Sequence, residues 1–247
     1  MIKKALILIG EYFIFMGKVF SKPERWKLFF KKLIDEMYTM GVGSLPIVLI
    51  VAVVMGAVVT LQTGLQIESN WVPKWTVGFT ARTSIIMEFC PTIISLLLIG
   101  NLGSRITAEI GGMRVTEQID ALDVMGINSS SYLVLPKIIA LLIVNPTLII
   151  LSMGCALTGG YIVSMLSPVV APHDYLDGIT SFFRMYDVYY ALIKTFVFAF
   201  VIGSIASFYG YRIDGGALEL GKASTKAVVT SSFLVLILNL VITQIML

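Results

Sequence analysis

The stretch Val42–Leu61, VGSLPIVLIVAVVMGAVVTL, contains no charged residue, and this property decides the class of fold. A helix needs about 20 predominantly apolar residues to cross about 30 Å of hydrocarbon. Val42–Leu61 meets that requirement and predicts a membrane span. The composition agrees, because 57% of the residues are hydrophobic, only 13% are charged, and the mean hydropathy is +0.91. These values exceed what a soluble domain buries and predict an all-α integral membrane protein.

Four further segments have the length and apolar character of a span, at about 84–102, 132–166, 188–209 and 227–247. The segment 132–166 is longer than one bilayer thickness, so we expect it to tilt, kink or protrude. Before the first span, residues 1–40 mix basic and apolar side chains and predict amphipathic helices in the membrane interface. We therefore predict an N-terminal interfacial region over 1–40 and a five-span domain over 41–247.

Basic residues are distributed unevenly among the segments that flank these spans. They concentrate before the first span and in the loops after the second and fourth spans, which include Arg105, Arg114, Lys137, Arg212, Lys222 and Lys226. Cytoplasmic loops of membrane proteins carry such an excess of lysine and arginine. We therefore expect a cytoplasmic N-terminus and, after five crossings, a C-terminus on the opposite side.

The segment GGALELGKAS, residues 215–224, nearly matches a phosphate-binding P-loop. Gly216, Gly221 and Lys222 fit the pattern, but Ala223 stands where a hydroxyl should coordinate magnesium. A P-loop also belongs to an α/β domain, for which the short segment between two spans leaves no room. We predict a tight Gly-Gly turn here, no nucleotide bound by this chain and no catalytic residue.

Other small residues and potential metal ligands are interpreted as structural. Cys90 and Cys155 lie in apolar runs and are expected to be unpaired. His173, beside Asp174 and Asp177, is the only histidine, and we assign no metal site. Close helix packing is the role predicted for four glycines of the spans, Gly56, Gly154, Gly159 and Gly160.

The charged residues Glu88 and Lys194 fall within predicted spans. Glu88 lies in the second span, where a charge is costly unless it faces a polar cavity or a partner, so it is a candidate functional residue. A hydrogen bond that helps helix packing is the structural alternative. Lys194 lies near the outer end of the fourth span, from which we expect its side chain to extend to the membrane interface.

The segment Gly103–Ile127 is polar although it joins two spans. From Met113 onward its apolar residues recur on one stripe and predict a short amphipathic helix. We expect Gly111–Gly112 to separate that helix from the preceding residues and Gly126 to end it. Charge pattern alone would favour a solvated helix on the membrane surface.

A family resemblance is carried by LGSRITAEIGGMRVTEQIDALDVMGI (Leu102–Ile127), TLQTG (Thr60–Gly64), EFCPTI (Glu88–Ile93) and SFYGYRIDGGALELGKASTKAVVTSSFLVLILNLVIT (Ser207–Thr243). Together these stretches closely resemble the MlaE family, the permease subunits of ABC transporters that work with MCE proteins. The resemblance extends from about Gly41 to the end of the chain. This chain departs from the family pattern around Glu88, where Met87 and Cys90 replace a common arginine and glycine, and at Asn101, where arginine is common.

The resemblance implies a set of partners and a location. Permeases of this kind pair as dimers in the bacterial inner membrane, bind two cytoplasmic ABC ATPase subunits, and carry a periplasmic MCE-domain protein. The complex moves phospholipids between the inner and outer membranes. ATP and magnesium would then be bound by the partner ATPase, no cofactor by this chain, and no nucleic acid partner is expected.

The resemblance also implies roles for particular residues. Glu109–Asp123 would be a cytoplasmic coupling helix that docks into the ATPase, through Glu109, Gly111, Met113, Arg114, Val115, Thr116, Glu117, Ile119, Asp120 and Leu122. A lipid pathway would be lined by Glu88 and by residues near the outer end of the first span, namely Met55, Leu61, Gln62 and Leu65.

Two other functions are compatible with a polytopic chain. An ion-coupled secondary transporter could use Glu88 as its proton or cation site, but such transporters have related halves and paired broken helices, and neither is evident here. A membrane scaffold without a transport role is the third possibility, and changes at Glu88 would leave lipid movement unaffected in that case.

Overall fold

The computed structural model describes residues 2–21, 26–67 and 72–246. Within these ranges nearly the whole backbone is helical and no strand occurs. The helices are α1 (Ile2–Val19), α2 (Trp26–Gln66), α3 (Trp75–Val115), α4 (Gln118–Val124), α5 (Ser129–Leu166), α6 (Pro172–Thr180), α7 (Met185–Tyr211) and α8 (Ala217–Met246).

Five of these helices, α2, α3, α5, α7 and α8, are long and apolar enough to cross a membrane, as predicted. All five extend beyond the apolar segments from which they were predicted. Helix α5 is also longer than one bilayer thickness, as predicted, because its 38 residues extend about 57 Å against a hydrocarbon thickness of about 30 Å.

Helix α2 joins the predicted interfacial region to the first span without interruption. It has 41 residues and contains Pro46, and the boundary predicted between residues 40 and 41 lies inside it. Proline removes one backbone donor from a helix, but spanning helices tolerate the change because neighbouring groups can satisfy the freed carbonyl.

Helix α3 is not a regular α-helix throughout. Ile85–Ile94 and Ile99–Gly103 are π-helical, and Pro91 lies in the first of these stretches. Because proline cannot donate to the helical hydrogen bonds, local departure from α-geometry is expected beside it. Short π-helical segments within α-helices are frequent at functional sites, and Glu88 lies in the same stretch.

The described residues form two compact units. The first unit comprises the described parts of Met1–Gly43, Leu98–Val144 and Phe198–Leu238. Helix α1 packs in this unit through Phe15, whose ring centroid lies 5.7 Å from that of Phe208 and 5.2 Å from that of Tyr211. Buried aliphatic residues of α3, α5 and α7 complete its core, among them Ile106, Ile110, Ile138, Leu141 and Ile202.

The second unit comprises the described parts of Ser44–Leu97, Asn145–Val197 and Asn239–Leu247. Helices α2 and α5 contact each other closely in it through glycines. A Cβ atom added to Gly56 would lie 1.8 Å from the carbonyl oxygen of Ala156, and one added to Gly159 would lie 2.1 Å from that of Val53. These positions confirm the predicted packing role of Gly56 and Gly159.

The other two span glycines give opposite results. A Cβ atom at Gly160 would lie 2.1 Å from the hydroxyl oxygen of Tyr175 in helix α6, so this glycine also permits close packing. The prediction for Gly154 is wrong, because nothing lies within 4 Å of the corresponding position. Gly154 lies on a face of α5 that contacts no other described helix at this point. The spacing of glycines along one helix does not show which of them face another helix.

The segment that resembles a P-loop forms a turn and the start of a helix. Gly215 has a φ of +135°, which favours glycine, and α8 begins two residues later at Ala217. Gly221 and Lys222 therefore lie inside α8, where backbone N–H groups serve the helix itself. The predicted turn is confirmed, as are the unpaired thiols of Cys90 and Cys155.

Candidate functional site

A cluster of polar side chains surrounds Glu88 in the second unit. Oε1 of Glu88 accepts hydrogen bonds from Nζ of Lys194 at 2.7 Å and from the hydroxyl of Tyr190 at 2.8 Å. Oε2 lies 3.4 Å from Nδ2 of Asn239. The hydroxyl of Thr243 donates to the backbone carbonyl oxygen of Asn239 at 2.7 Å and lies 2.9 Å from the Tyr190 hydroxyl. These five residues are called the Glu88 cluster below.

Three helices position the Glu88 cluster. Glu88 comes from the π-helical stretch of α3, Tyr190 and Lys194 from α7, and Asn239 and Thr243 from α8. Within α7 and within α8 the two residues are four positions apart, so each pair occupies one face of its helix. The arrangement thus follows from helical periodicity once the three helices are adjacent.

The ion pair at the centre of this cluster is asymmetric in its exposure. The side chain of Lys194 is 0% exposed, whereas that of Glu88 is 38% exposed. Nζ of Lys194 also lies 4.4 Å from the centroid of the Tyr190 ring, a favourable position for a cation. The ammonium is therefore enclosed, and the carboxylate is the charged group that a ligand could reach.

The prediction that Lys194 extends to the membrane interface is wrong. Removing an ammonium from water costs several kcal/mol unless a well-placed opposite charge compensates. Glu88 supplies that charge at 2.7 Å, so the buried position becomes favourable. Nothing in the local sequence around either residue indicates a partner on another helix.

Two further contacts fix the geometry of the Glu88 cluster. Oγ1 of Thr92 donates to Oδ1 of Asn239 at 3.2 Å, which directs the amide nitrogen of Asn239 towards Glu88. Thr92 lies one turn after Glu88 in the π-helical stretch of α3. The amide and the carboxylate are consequently oriented by the same part of the helix.

The four α2 residues predicted for the lipid pathway also lie in the second unit. Met55 and Leu61 are half-buried, whereas Gln62 and Leu65 are exposed. None of them is a hydrogen-bond partner within the Glu88 cluster. Their role as pathway residues remains a prediction.

The predicted coupling segment lies in the first unit and differs from its expected form. Helix α3 continues through Gly111–Gly112 as far as Val115, and the chain turns instead at Thr116–Glu117. A Cβ atom at Gly111 would lie 2.2 Å from Cδ1 of Ile213 and 2.5 Å from Cδ1 of Leu220. Gly111 therefore permits a close contact between segments and does not end the helix.

Glu117 makes the turn with a φ of 59°, in the left-handed region, and helix α4 follows it. Helix α4 is short and is followed by Gly126, which has a φ of +80°. A glycine in this conformation commonly follows the last turn of a helix, so the predicted stop at Gly126 is confirmed. Arg114 and Asp120 form an ion pair across the turn.

The predicted coupling residues differ in their accessibility. Ile119 and Gly111 are buried within the chain, and Met113, Arg114 and Leu122 are half-buried. The others are exposed, namely Glu109, Val115, Thr116, Glu117 and Asp120. Two apolar residues that the sequence analysis did not select, Val124 and Met125, are 88% and 65% exposed.

A second buried lysine holds the helix that leads into this segment. Nζ of Lys137 lies 2.7 Å from Oε1 of Glu109 and also pairs with Oε1 of Glu36, and only 3% of the Lys137 side chain is exposed. The ammonium thereby links α2, α3 and α5 within the first unit. From the sequence alone, Lys137 is recognisable only as a basic residue near a cytoplasmic loop.

His173 lies close to both neighbouring carboxylates. Its Nε2 is 3.3 Å from Oδ2 of Asp177, and its Nδ1 is 3.8 Å from Oδ1 of Asp174. Among residues 2–21, 26–67 and 72–246, no group of three or more histidine, cysteine, aspartate or glutamate side chains is placed to hold a metal ion.

Comparison with known proteins assigns this architecture to a family. The model of the family described as Permease MlaE matches residues 33–245. A probable ABC transporter permease protein of Rickettsia bellii is 36% identical over 238 residues, which are 96% of this chain and 91% of that protein. A probable ABC transporter permease protein of Synechocystis is 32% identical over 97% of this chain and 90% of its own length.

A third relative has a more specific name. The intermembrane phospholipid transport system permease protein MlaE of Haemophilus influenzae is 31% identical over 235 residues, covering 95% of this chain and 89% of its own length. ABC transporter permeases are transmembrane subunits and are not themselves catalytic. With five described helices long and apolar enough to cross a membrane and a family match over residues 33–245, the chain belongs to the MlaE family of ABC transporter permeases.

Proposed function

We propose that this chain is the permease subunit of a transporter that moves phospholipids between the inner and outer membranes of a double-membraned bacterium. The observation that carries the proposal is the match to the MlaE family over residues 33–245, together with a relative named for intermembrane phospholipid transport. In this proposal two copies of the chain pair in the inner membrane. Two cytoplasmic ABC ATPase subunits supply the energy, and an MCE-domain protein receives or delivers lipid in the periplasm.

Orientation and division of labour follow from the same proposal. The N-terminus is cytoplasmic and the C-terminus periplasmic, in agreement with the basic residues that precede the first span and occupy the second and fourth connections. ATP and magnesium bind the ATPase subunits. The two regions predicted from the sequence, residues 1–40 and 41–247, then correspond to an interfacial segment and the five-span permease.

The proposed coupling element is the segment Glu109–Asp123, extended by the exposed Val124 and Met125. A transmitted motion requires a docking element that is held firmly by the spans. The pairing of Lys137 with Glu109 and the ion pair between Arg114 and Asp120 support that role. Exposed ion pairs contribute little, so we expect the apolar contacts to carry most of the affinity for the ATPase.

The proposed lipid pathway includes the Glu88 cluster and the accessible residues of α2, Met55, Leu61, Gln62 and Leu65. Ionisable groups inside a membrane protein are functional candidates by default. The Glu88 carboxylate is partly exposed, whereas its partner Lys194 is enclosed. Glu88 can therefore make a polar contact with a lipid headgroup in a path that is otherwise apolar.

The test of this proposal is co-purification followed by reconstitution. Val124→Asp with Met125→Asp places two charges on the exposed apolar part of the coupling segment and should abolish co-purification of the ATPase and ATP-driven lipid movement. Leu176→Asp, at a 45% exposed apolar position of α6, is the matched control and should retain both. Full co-purification with the double variant would contradict the docking role.

The same preparation distinguishes the ion-coupled alternative. The permease alone, in liposomes with a pH gradient and without ATPase, should move no lipid if the proposal is correct. Lipid flux that follows the pH gradient and disappears in the double variant Glu88→Gln with Lys194→Met, which removes both members of the buried pair, would instead favour an ion-coupled transporter. Membership of an ABC transporter permease family argues against that outcome.

A further inference from the structure

The two carboxylate oxygens of Glu88 have very different surroundings. Oε1 accepts from Lys194 and Tyr190 at 2.7 and 2.8 Å, and Oγ1 of Thr243 lies 3.4 Å from it. Among the described residues, Oε2 has a single neighbouring donor, Nδ2 of Asn239, at a distance of 3.4 Å. That distance exceeds the usual 2.7–3.2 Å for an N–H···O hydrogen bond. Since an ionised carboxylate can accept about four hydrogen bonds, Oε2 has unused acceptor capacity.

The unused oxygen belongs to the accessible partner of the ion pair. The Glu88 side chain is 38% exposed, while Lys194 is fully buried behind it. A lipid that reaches the Glu88 cluster therefore meets a carboxylate oxygen and not an ammonium group. The charged group that such a lipid meets is a hydrogen-bond acceptor, so the complementary part of a headgroup is a cationic hydrogen-bond donor.

Surrounding groups hold Oε2 in a fixed position. Lys194 and Tyr190 both donate to Oε1 and fix the carboxyl group, and Asn239 is oriented by Thr92. An acceptor that is fixed before the ligand arrives loses little conformational entropy on binding. The geometry is that of a preorganised acceptor site for one donor group.

From these observations we propose that Oε2 of Glu88 binds the primary ammonium group of an aminophospholipid such as phosphatidylethanolamine. The inference rests on the proposed lipid-transport function and adds the headgroup chemistry that the site selects. A primary ammonium has three N–H donors and a positive charge that complements the carboxylate. The quaternary ammonium of a choline headgroup has no N–H donor, and an anionic glycerol headgroup is repelled by the carboxylate.

The test is native mass spectrometry of the assembled transporter after equilibration with equal amounts of phosphatidylethanolamine and phosphatidylcholine that have identical acyl chains. Hydrogen bonds to charged groups contribute enough free energy for the wild type to retain the ethanolamine lipid with a preference of about tenfold. In the double variant Glu88→Gln with Lys194→Met, this preference should fall to less than about twofold.

The double variant is chosen so that the fold survives. Glu88→Gln alone would leave the buried ammonium of Lys194 without a counter-charge, which is strongly destabilising, whereas replacing both members of a buried pair is often tolerated. The control is Glu219→Gln with Lys222→Met, which removes another Glu–Lys pair of 2.7 Å that lies on an exposed surface. The control should keep the wild-type preference.

Three outcomes would overturn the inference: no preference in the wild type, an unchanged preference in the double variant, or complete release of the lipid by millimolar free ethanolamine, which would indicate a site for soluble amines. Transport assays separate this inference from the proposed function. A complex that moves lipid under ATP without headgroup preference contradicts only the Glu88 assignment, whereas one that neither retains nor moves lipid contradicts the transport function.

Discussion

Nζ of Lys137 lies 2.7 Å from Oε1 of Glu109 and also pairs with Glu36, so a single buried ammonium joins α2, α3 and α5 in the first unit. Because Glu109 is the first residue of the predicted coupling segment, this ion network fixes the base from which that segment projects. The network therefore connects local stability with the proposed transmission of motion.

Removing both carboxylates should be far more damaging than removing one. Glu36→Gln or Glu109→Gln alone leaves Lys137 one counter-charge and should cost about 1 kcal/mol of unfolding free energy. The double change isolates a buried ammonium and should cost about 3–5 kcal/mol. Thermal unfolding in detergent measures both effects, and strictly additive losses would show that the two carboxylates do not share the ammonium.

Gly56 and Gly154 should respond in opposite ways to alanine. Gly56→Ala forces α2 and α5 apart, because the added Cβ would lie 1.8 Å from a backbone oxygen, and should destabilise the protein by about 1–3 kcal/mol. Gly154→Ala meets nothing within 4 Å and should be neutral or stabilising by up to about 1 kcal/mol through helix propensity. Equal melting temperatures for the two variants would contradict the described packing.

Glu117 adopts a backbone conformation that glycine prefers. The left-handed region costs a residue with a Cβ about 1–2 kcal/mol of folding free energy. Glycine avoids this cost, but its more flexible unfolded chain offsets part of the gain in stability. Glu117→Gly should therefore raise stability by about 0.5 kcal/mol. Thr116→Gly, at a φ of −91°, is the control and should lower it, and the reverse order in thermal unfolding would show that the turn lies elsewhere.

In the second unit, Arg82 holds the end of helix α6 through hydrogen bonds that a lysine should not be able to replace. Its Nη1 donates to the carbonyl oxygens of Ile179 at 2.6 Å and Ser181 at 2.8 Å, and Nη2 lies 3.4 Å from that of Phe182, which has a φ of 50°. A lysine ammonium cannot reproduce this planar fork of donors. Arg82→Lys should accelerate hydrogen exchange of residues 179–183 by about tenfold or more, whereas Arg184→Lys should leave it unchanged. Unaltered exchange in Arg82→Lys would exclude this role.

The sequence was sufficient for features that depend on composition and short-range spacing. The apolar segments gave the number of spanning helices, and the glycines at 215 and 126 gave a turn and a helix end, because these depend on local backbone preferences. The family was evident from the run around Glu109–Leu122. Glu88 was identified as a candidate from its position in a span alone.

The errors concern contacts between residues far apart in the chain. Lys194 was expected at the interface because its partner Glu88 lies 106 residues away in sequence. Gly111 was expected to end a helix because its actual role depends on Ile213 and Leu220. In both cases the residue type was correctly noted, but its partner becomes known only when the helices are placed.

The π-helical stretch Ile85–Ile94 has a consequence for changes of chain length in α3. Each residue of an α-helix turns the chain by about 100° around the helix axis. A π-helical turn contains one extra residue, and the helix after it keeps its orientation. Deleting a single residue after Glu88 within this stretch should allow the segment to revert to α-geometry and keep the downstream face aligned. The same deletion made in the regular helix Ser104–Val115 would turn Arg114 and Val115 away from their present direction. A single-residue deletion should therefore preserve the direction of the downstream helix when it is made in Ile85–Ile94 and change that direction when it is made near Arg114.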